Sequence, residues 1–399
     1  PEVTKAFFSN MGFFNSLSGG AFTRMSIFAL SITPYISASI IVQLLTIAIP
    51  KLEELQKEGE DGRKKMNELT RYITVGLAVI ESGALAIGFG NQGYLIGGLT
   101  FTNVIIVIAS LTAGSAFLMW MGEKITQNGV GNGISIILLV NIVSTMPNDF
   151  INLYRSFIEN KPVVKAIVAA IIIVLVVLIT IVLVIMLQNA ERRIPVQYAK
   201  KVQGRKMVGG QTSHIPLKVN TAGVIPVIFA SSIMSFPGVI LGFWGIEPAR
   251  AYFWPKVLKV LDQRSWLAIF DGWGEFKYSI GLLIYIAMII FFAYFYTSIT
   301  FNPIEVANNM KKQGGFVPGI RPGKPTTEYL SKVLNYIIFI GAIGLTIVAV
   351  IPIIFTGAFG AQVSFGGTSV IIIVGVIIET IKQVESQLLV RHYKGFLND

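Results

Sequence analysis

The chain has 399 residues, of which 53% are hydrophobic and 13% charged, and its mean hydropathy is +0.68. Soluble domains carry roughly 25% charged residues, so this composition indicates an integral membrane protein. The sequence holds no cysteine, which excludes disulfides, thiol catalysis and cysteine-based metal sites. Its two histidines lie in polar segments, so we expect neither a metal site nor a cofactor.

The first 25 residues are moderately apolar but are interrupted by Ser, Asn and Gly. Four phenylalanines could give a short helix here an apolar face: Phe7, Phe8, Phe13 and Phe14. The segment is too broken to cross a bilayer, so we expect a re-entrant, plug-like or interfacial piece. The sequence begins with Pro1 and shows no cleavable signal peptide, so we expect it to start inside a longer protein.

Residues 26–49 contain no Lys, Arg, Asp or Glu and are long enough to cross a bilayer core, which takes about 20 apolar residues. Pro34 lies mid-span, and small polar residues interrupt the first two thirds, which is unusual for a lipid-facing helix. Ile32 and Ile36 are four residues apart and therefore share one helical face. We expect this helix to pack against others with one face toward something other than lipid. An ordinary interior bundle helix, with Ser and Thr as interhelical contacts, is the alternative.

Apolar runs predict eight further spans, at 72–90, 103–121, 134–146, 163–187, 222–241, 280–300, 336–355 and 368–382. Between the first two spans, residues 51–71 carry six basic and six acidic side chains and predict a solvated loop. The 134–146 span is short and ends before Pro147, as is typical near a transport pathway. The Ile/Val/Leu run at 163–187 predicts a lipid-facing helix.

Alternation of these nine spans assigns the connecting loops to two sides of the membrane. One side receives 22 of the 32 Lys and Arg residues and the other side receives 8. Because basic residues favour the cytoplasmic side, the first side is predicted to be cytoplasmic, with the C-terminus there and Pro1 outside. The net charge of +11 is therefore concentrated on cytoplasmic loops.

Two of the cytoplasmic loops are long and basic. Residues 191–220 carry seven basic residues and one acid, and residues 301–332 carry five basic residues and two acids. Arg and Lys placed among Gly and Pro are typical of docking sites for a polyanion or an acidic protein face. A plain orientation signal with anionic lipid headgroups explains the same charges. Charge alone leaves both interpretations open.

Few ionisable groups fall inside the spans. Glu81 lies mid-span in 72–90, and Glu379 and Lys382 lie near the inner end of the last span. An intramembrane acid is a functional-site hypothesis by default, and here a proton relay and a hydrogen-bonded packing residue both stay open. The sequence contains no GxSxG, HExxH or Walker A motif, so neither hydrolysis nor nucleotide binding is supported.

Seven strings across almost the whole sequence resemble the SecY family, the central subunit of the bacterial protein-conducting channel. They are SGGAFTRMSIFALSITPYISASIIVQLL (18–45), KLEELQKEGEDGRKKMNELTRY (51–72), FLMWMGEKITQNGVGNGISII (117–137), RRIPVQYAKK (192–201), HIPLKVNTAGVIPVIFASSI (214–233), FNPIEVANNMKKQGGFVPGIRPGKPT (301–326) and FGGTSVIIIVGV (365–376). The strings follow the family's order, and the FVPGIRPG loop resembles the bacterial form. The family has ten spans, of which the first is missing from this sequence.

The resemblance implies an all-α polytopic membrane protein, a helix bundle in which two inverted, pseudo-symmetric halves enclose an hourglass pore. Residues 1–25 would be the plug or re-entrant segment, and 26–155 the N-terminal half with spans 2–5. Residues 160–388 would be the C-terminal half with spans 6–10 and the cytoplasmic loops 188–221 and 301–335. A cytoplasmic tail would follow at 389–399.

The resemblance also implies roles for particular residues. The pore ring of the family corresponds to six aliphatic residues here, Ile32, Ile36, Ile134, Leu138, Ile228 and Ile372. Such a ring can gate by dewetting and adapt to any passing side chain. Residues 6–18, including the four phenylalanines, would seal the outer funnel. The lateral gate would open between spans 26–49 and 222–241, with polar contacts from Ser37, Gln43 and Glu81 beside Pro226.

The implied function is a passive channel that passes unfolded secretory polypeptides and releases membrane segments laterally, in the bacterial inner membrane. Its partners would be the small subunits SecE and SecG, the SecA ATPase, the ribosome through its RNA phosphates, signal peptides and membrane lipids. Five basic residues would dock the motor or the ribosome: Arg193, Lys200, Arg205, Lys206 and Arg321. A secondary transporter for a small solute is the alternative, and a membrane-embedded enzyme comes third; neither the converging polar groups of the first nor the catalytic set of the second is evident.

Overall fold

The computed structural model of the chain describes residues 15, 17–91, 93, 95–159, 161–198, 201–203, 206–208, 212–243, 260–261, 280–359 and 367–395. Within these ranges the helices are α1 (Thr33–Ala48), α2 (Pro50–Lys57), α3 (Glu60–Asn91), α4 (Phe101–Asn128), α5 (Gly133–Phe157), α6 (Val163–Asn189), α7 (Ile225–Phe243), α8 (Ile280–Thr300), α9 (Pro303–Lys312), α10 (Lys324–Phe359) and α11 (Gly367–Gly395). The strands are β1 (Glu191–Tyr198), β2 (Lys201–Gln203), β3 (Lys206–Val208), β4 (Thr212–Lys218) and β5 (Gly315–Phe316).

The described residues include six helices long and apolar enough to cross a membrane, or seven if the bent α1–α2 pair counts as one span. They are α3, α4, α5, α6, the run from α8 into α9, and α10. Each of the nine predicted spans overlaps a helix. The prediction of an all-α polytopic membrane protein is therefore confirmed.

The predicted 26–49 span is wrong in its first third. Residues 27–32 form turns, and α1 begins only at Thr33. Pro34 therefore lies at the start of the helix and not in its middle. Backbone N–H groups in the first turn make no intrahelical hydrogen bond, so the helix loses none through the missing N–H of proline. The 16 residues of α1 extend about 24 Å, which is shorter than a bilayer core. Pro50 starts α2, and the two helices form an angle of 110°.

Two other boundaries also differ from the sequence prediction. Residues 51–71 are not a loop, because α2 and about the first three turns of α3 cover all of them except 58–59. Their Glu, Lys, Leu and Arg are good helix formers. The short 134–146 span is part of a 25-residue helix that continues through Pro147. In the turn before Pro147, the hydroxyls of Ser144 and Thr145 donate to the carbonyl oxygens of Asn141 and Ile142.

The two long basic loops fold together instead of remaining separate. β1 pairs antiparallel with β4, with Ile194 opposite Ile215, and its far end pairs with β5, with Gln197 opposite Phe316. The buried face of this sheet packs on α9 and α10 through an apolar cluster of Ile194, Val196, Leu217, Ala307, Met310, Val317, Leu330 and Ile337. Segments about 100 residues apart therefore form one folded unit beside the helix bundle.

Close helix contact in the first half depends on glycine. A Cβ on Gly133, at the start of α5, would collide with the carbonyl oxygen of Gly122 on α4. Gly133 also donates its backbone N–H to the Thr126 hydroxyl over 2.8 Å. The first turn of α5 is therefore seated directly on the backbone of α4.

We expect Gly133→Ala to lower the thermal unfolding temperature of the purified protein, because α4 and α5 must separate to admit the methyl group. Overpacking of this kind costs about 1–3 kcal/mol. The matched control is Gly76→Ala, since a Cβ at Gly76 on α3 meets no atom within 4 Å. Equal unfolding temperatures for the two variants in detergent would contradict this account of the α4–α5 contact.

Candidate pore constriction

Aliphatic side chains from five segments meet in one buried cluster, which we call the aliphatic cluster. Its buried members are Leu17, Leu138, Ile142, Ile228, Ile372 and Val376, and Ile36, Ile136, Leu139, Val224 and Ile373 pack against it. They come from the stretch before α1, from α1, α5 and α11, and from α7 with the residue that precedes it. Helix α5 contacts α11 directly, and α3, which lies outside the cluster, contacts both α1 and α7.

Four of the six predicted ring residues take part in the aliphatic cluster. Leu138, Ile228 and Ile372 are buried members, and half-buried Ile36 packs against them. They come from four helices, α1, α5, α7 and α11. These four residues therefore meet at a common point, and their role as a pore ring stays a prediction.

The other two predicted ring residues lie differently. Ile32 is fully buried, but it is not a member of the aliphatic cluster. The half-buried side chain of Ile134 contacts Gly122 of α4. Ile134 also occupies the first turn of α5, where its N–H is capped by the Asn132 side chain. A role for these two residues in a pore ring stays a prediction.

Sequence reasoning missed three members of the aliphatic cluster. Ile142 and Val376 each follow a predicted ring residue by four positions, so helical periodicity could have found both. Leu17 lies before α1, in a segment without a repeating pattern. Only the structure brings it against α5 and α11.

The chemistry of the aliphatic cluster is that of contact without specific binding. Its members have no hydrogen-bonding side chain, so a polar ligand finds no partner there. Branched apolar side chains that meet in a membrane protein can exclude water and ions from a narrow passage. Each dispersion contact between these side chains is weak, so contacts with another molecule's surface can replace them one at a time.

The predicted gate residues lie on neighbouring helices. Ser37 and Gln43 are half-buried on α1, Glu81 is half-buried on α3, and Pro226 is buried in the first turn of α7. Helix α3 contacts both α1 and α7. Among the residues that the structure describes, no side-chain hydrogen bond joins Ser37, Gln43 and Glu81, so polar contacts across a gate stay a prediction.

The predicted docking residues divide between the two loops that form the folded unit of β1, β4 and β5. Arg193 is exposed on β1 and forms an ion pair with Glu191 over 2.6 Å. Arg321 is exposed in a turn where its carbonyl oxygen accepts a hydrogen bond from the Thr326 hydroxyl over 2.8 Å. Lys206 begins β3, but its side chain, like the whole of Lys200 and Arg205, lies outside the described residues.

The four plug phenylalanines, Phe7, Phe8, Phe13 and Phe14, also lie outside the described residues. Across the ranges that the structure covers, no group of three His, Asp or Glu side chains could hold a metal ion.

Comparison with known proteins identifies relatives of this chain. The SecY family model matches residues 26–381. The protein translocase subunit SecY of Streptomyces coelicolor is 43% identical over 397 residues, which cover 97% of this chain and 86% of that protein.

Two solved structures share the fold. A protein-conducting channel matches with a TM-score of 0.61 at 20% identity, over 94% of this chain and 84% of that one. The Sec61 channel of a canine ribosome–channel complex from the endoplasmic reticulum matches with a TM-score of 0.58 at 19% identity, over 94% of this chain and 84% of that one. Because the family model and the bacterial relative each cover most of its length, this chain belongs to the SecY family.

Proposed function

We propose that this chain is the channel-forming subunit of a protein translocase. It passes unfolded secretory polypeptides across the membrane and releases membrane segments laterally. The observation that carries the proposal is the aliphatic cluster. Four helices and the stretch before α1 contribute its side chains, and none of these side chains can bind a polar ligand. Membership of the SecY family supports the same function and a non-enzymatic pore.

The same proposal places the chain in the bacterial inner membrane with its C-terminus in the cytoplasm. Several long apolar helices make it a multi-pass membrane protein. The bacterial source of its relative and the excess of Lys and Arg on one side support the location and the orientation.

Docking is proposed at the folded cytoplasmic unit. Because β1 pairs with both β4 and β5, the exposed residues Arg193 and Arg321 lie on segments that are fixed to one another. A fixed cationic surface loses little conformational freedom when it binds phosphate or carboxylate groups. We assign this surface to the SecA ATPase and to ribosomal RNA, and we propose SecE and SecG as small membrane partners. A ribosome is present in the complex of the canine Sec61 relative.

The first test of the channel concerns the resting seal. We expect the triple variant Leu138→Ser, Ile228→Ser and Ile372→Ser to conduct ions at rest, several-fold above the parent, because hydroxyls in the aliphatic cluster retain water. Single-channel recording in planar bilayers measures the conductance.

The matched control carries the same three changes on α6, at Ile171, Val174 and Leu178, whose side chains are more than half exposed. It should stay closed. A triple cluster variant that is as tight as the parent, while it still assembles, would show that the aliphatic cluster is not the seal.

The second test concerns docking. We expect Arg321→Glu to lower motor-driven translocation into proteoliposomes by about tenfold to a hundredfold, since a lost charge-assisted contact costs about 1.5–3 kcal/mol. Unfolding is not expected, because the Arg321 backbone holds its turn and the side chain is exposed.

The control is Lys161→Glu, which makes the same charge change at an exposed residue between α5 and α6, on the predicted outer side. It should translocate like the parent. Normal translocation by Arg321→Glu would remove this residue from the docking surface.

A further inference from the structure

The side-chain amide of Asn141, on α5, meets two groups that are far away in the sequence. Its Nδ2 atom lies 2.9 Å from the carbonyl oxygen of Leu17 and 3.0 Å from the Oγ of Ser31. The Ser31 hydroxyl in turn donates to the same Leu17 carbonyl over 3.1 Å. Of the two polar atoms of the Asn141 amide, only Nδ2 can donate a hydrogen bond to the Leu17 carbonyl oxygen. This bond therefore fixes which way the Asn141 amide is oriented.

The stretch from Leu17 to Ser31 also packs closely on α5. Gly19 has a φ of +64°, and a Cβ there would lie 2.9 Å from the Ser144 hydroxyl and 3.3 Å from the Asn141 Cα. Ser31 itself has a φ of +51°, a left-handed conformation that is uncommon for serine. Such backbone strain persists only where surrounding contacts impose it. The hydrogen bonds from Asn141 and to Leu17 are contacts of this kind.

The bonded carbonyl belongs to a residue of the aliphatic cluster. The Leu17 side chain is 2% exposed and packs with Leu138 and Ile142, on either side of Asn141 along α5. Hydrophobic contact is not directional, so by itself it would let Leu17 slide or withdraw. The amide bond fixes the backbone and thereby fixes where the Leu17 side chain enters the cluster.

We infer that Asn141 is a positioning residue that fastens the stretch before α1 to the closed aliphatic cluster and so sets how readily that stretch withdraws. Withdrawal leaves the Leu17 carbonyl, the Ser31 hydroxyl and the Asn141 amide without these partners, in a site where unpaired polar groups are costly. The role rests on the proposed channel function, in which Leu17 must leave before a polypeptide enters.

A cysteine probe can measure the withdrawal directly, because the sequence contains no cysteine. In the Leu17→Cys protein, reaction with a maleimide reports how often residue 17 leaves the cluster. Adding Asn141→Leu, which keeps a similar volume without a donor, should raise the labelling rate about fivefold to thirtyfold, the factor for one or two lost hydrogen bonds.

The matched control is Asn152→Leu, an exposed asparagine on the same helix, which should leave the rate unchanged. Equal labelling rates in the Asn141→Leu and Asn152→Leu backgrounds would overturn the inference. If Asn141→Leu does not assemble, Ser31→Ala replaces it with an expected rise of about fivefold, and no rise would be equally decisive.

A second readout separates positioning from general stability. Asn141→Leu should increase translocation of a precursor with a defective signal peptide and leave that of the normal precursor intact. A merely structural asparagine would lower both. If the parent protein translocates neither precursor, the proposed function fails, while the labelling comparison still tests the fastening of Leu17.

Discussion

Aliphatic side chains of Leu17, Leu138, Ile142, Ile228, Ile372 and Val376 meet in the aliphatic cluster, and the rest of the architecture holds them there. Their attraction is non-directional and depends on area removed from water. Directional interactions therefore come from elsewhere: Gly133 seats α5 on α4, and Asn141 bonds the stretch before α1. Directional contacts therefore place the helices, while the aliphatic cluster between them contributes contacts without direction.

The folded unit of β1, β4 and β5 has the opposite character. There the charges are exposed and the backbone is fixed by strand pairing and by a buried face that includes Ile194 and Val196. Rigidity supports recognition of a partner, because little ordering remains to be done on binding. In the proposed channel, a passage that recognises no side chain is thus combined with a surface suited to recognising a partner.

Much of the bundle could be predicted from local sequence. The Ile/Val/Leu run predicted α6, whose buried residues in the structure are only Thr180, Val184 and Leu187. The family resemblance, and not residue spacing, predicted Ile36, Leu138, Ile228 and Ile372 as neighbours, and the structure brings all four into the aliphatic cluster. β1 shows the alternation of a half-buried strand, with Ile194 and Val196 facing inward. The sequence prediction treated this segment as a basic loop and did not use that alternation.

The rest could not be predicted because it depends on contacts between distant segments. The bond from Asn141 to Leu17 joins residues 124 positions apart, and no periodicity reports it. The late start of α1 at Thr33 depends on the strained turn at Ser31, which those tertiary contacts hold. Pairing of β5 with β1 joins two loops that appeared independent in the sequence.

Site-specific photocrosslinking to a stalled secretory chain tests the central claim most directly. The probe would replace Ile228, Ile372 and, as an outward-facing comparison on α6, Ile171. If polypeptides pass through the aliphatic cluster, the first two positions form adducts with the stalled chain and the third does not. A stalled substrate confirmed in transit that forms no adduct at either cluster position would contradict the account.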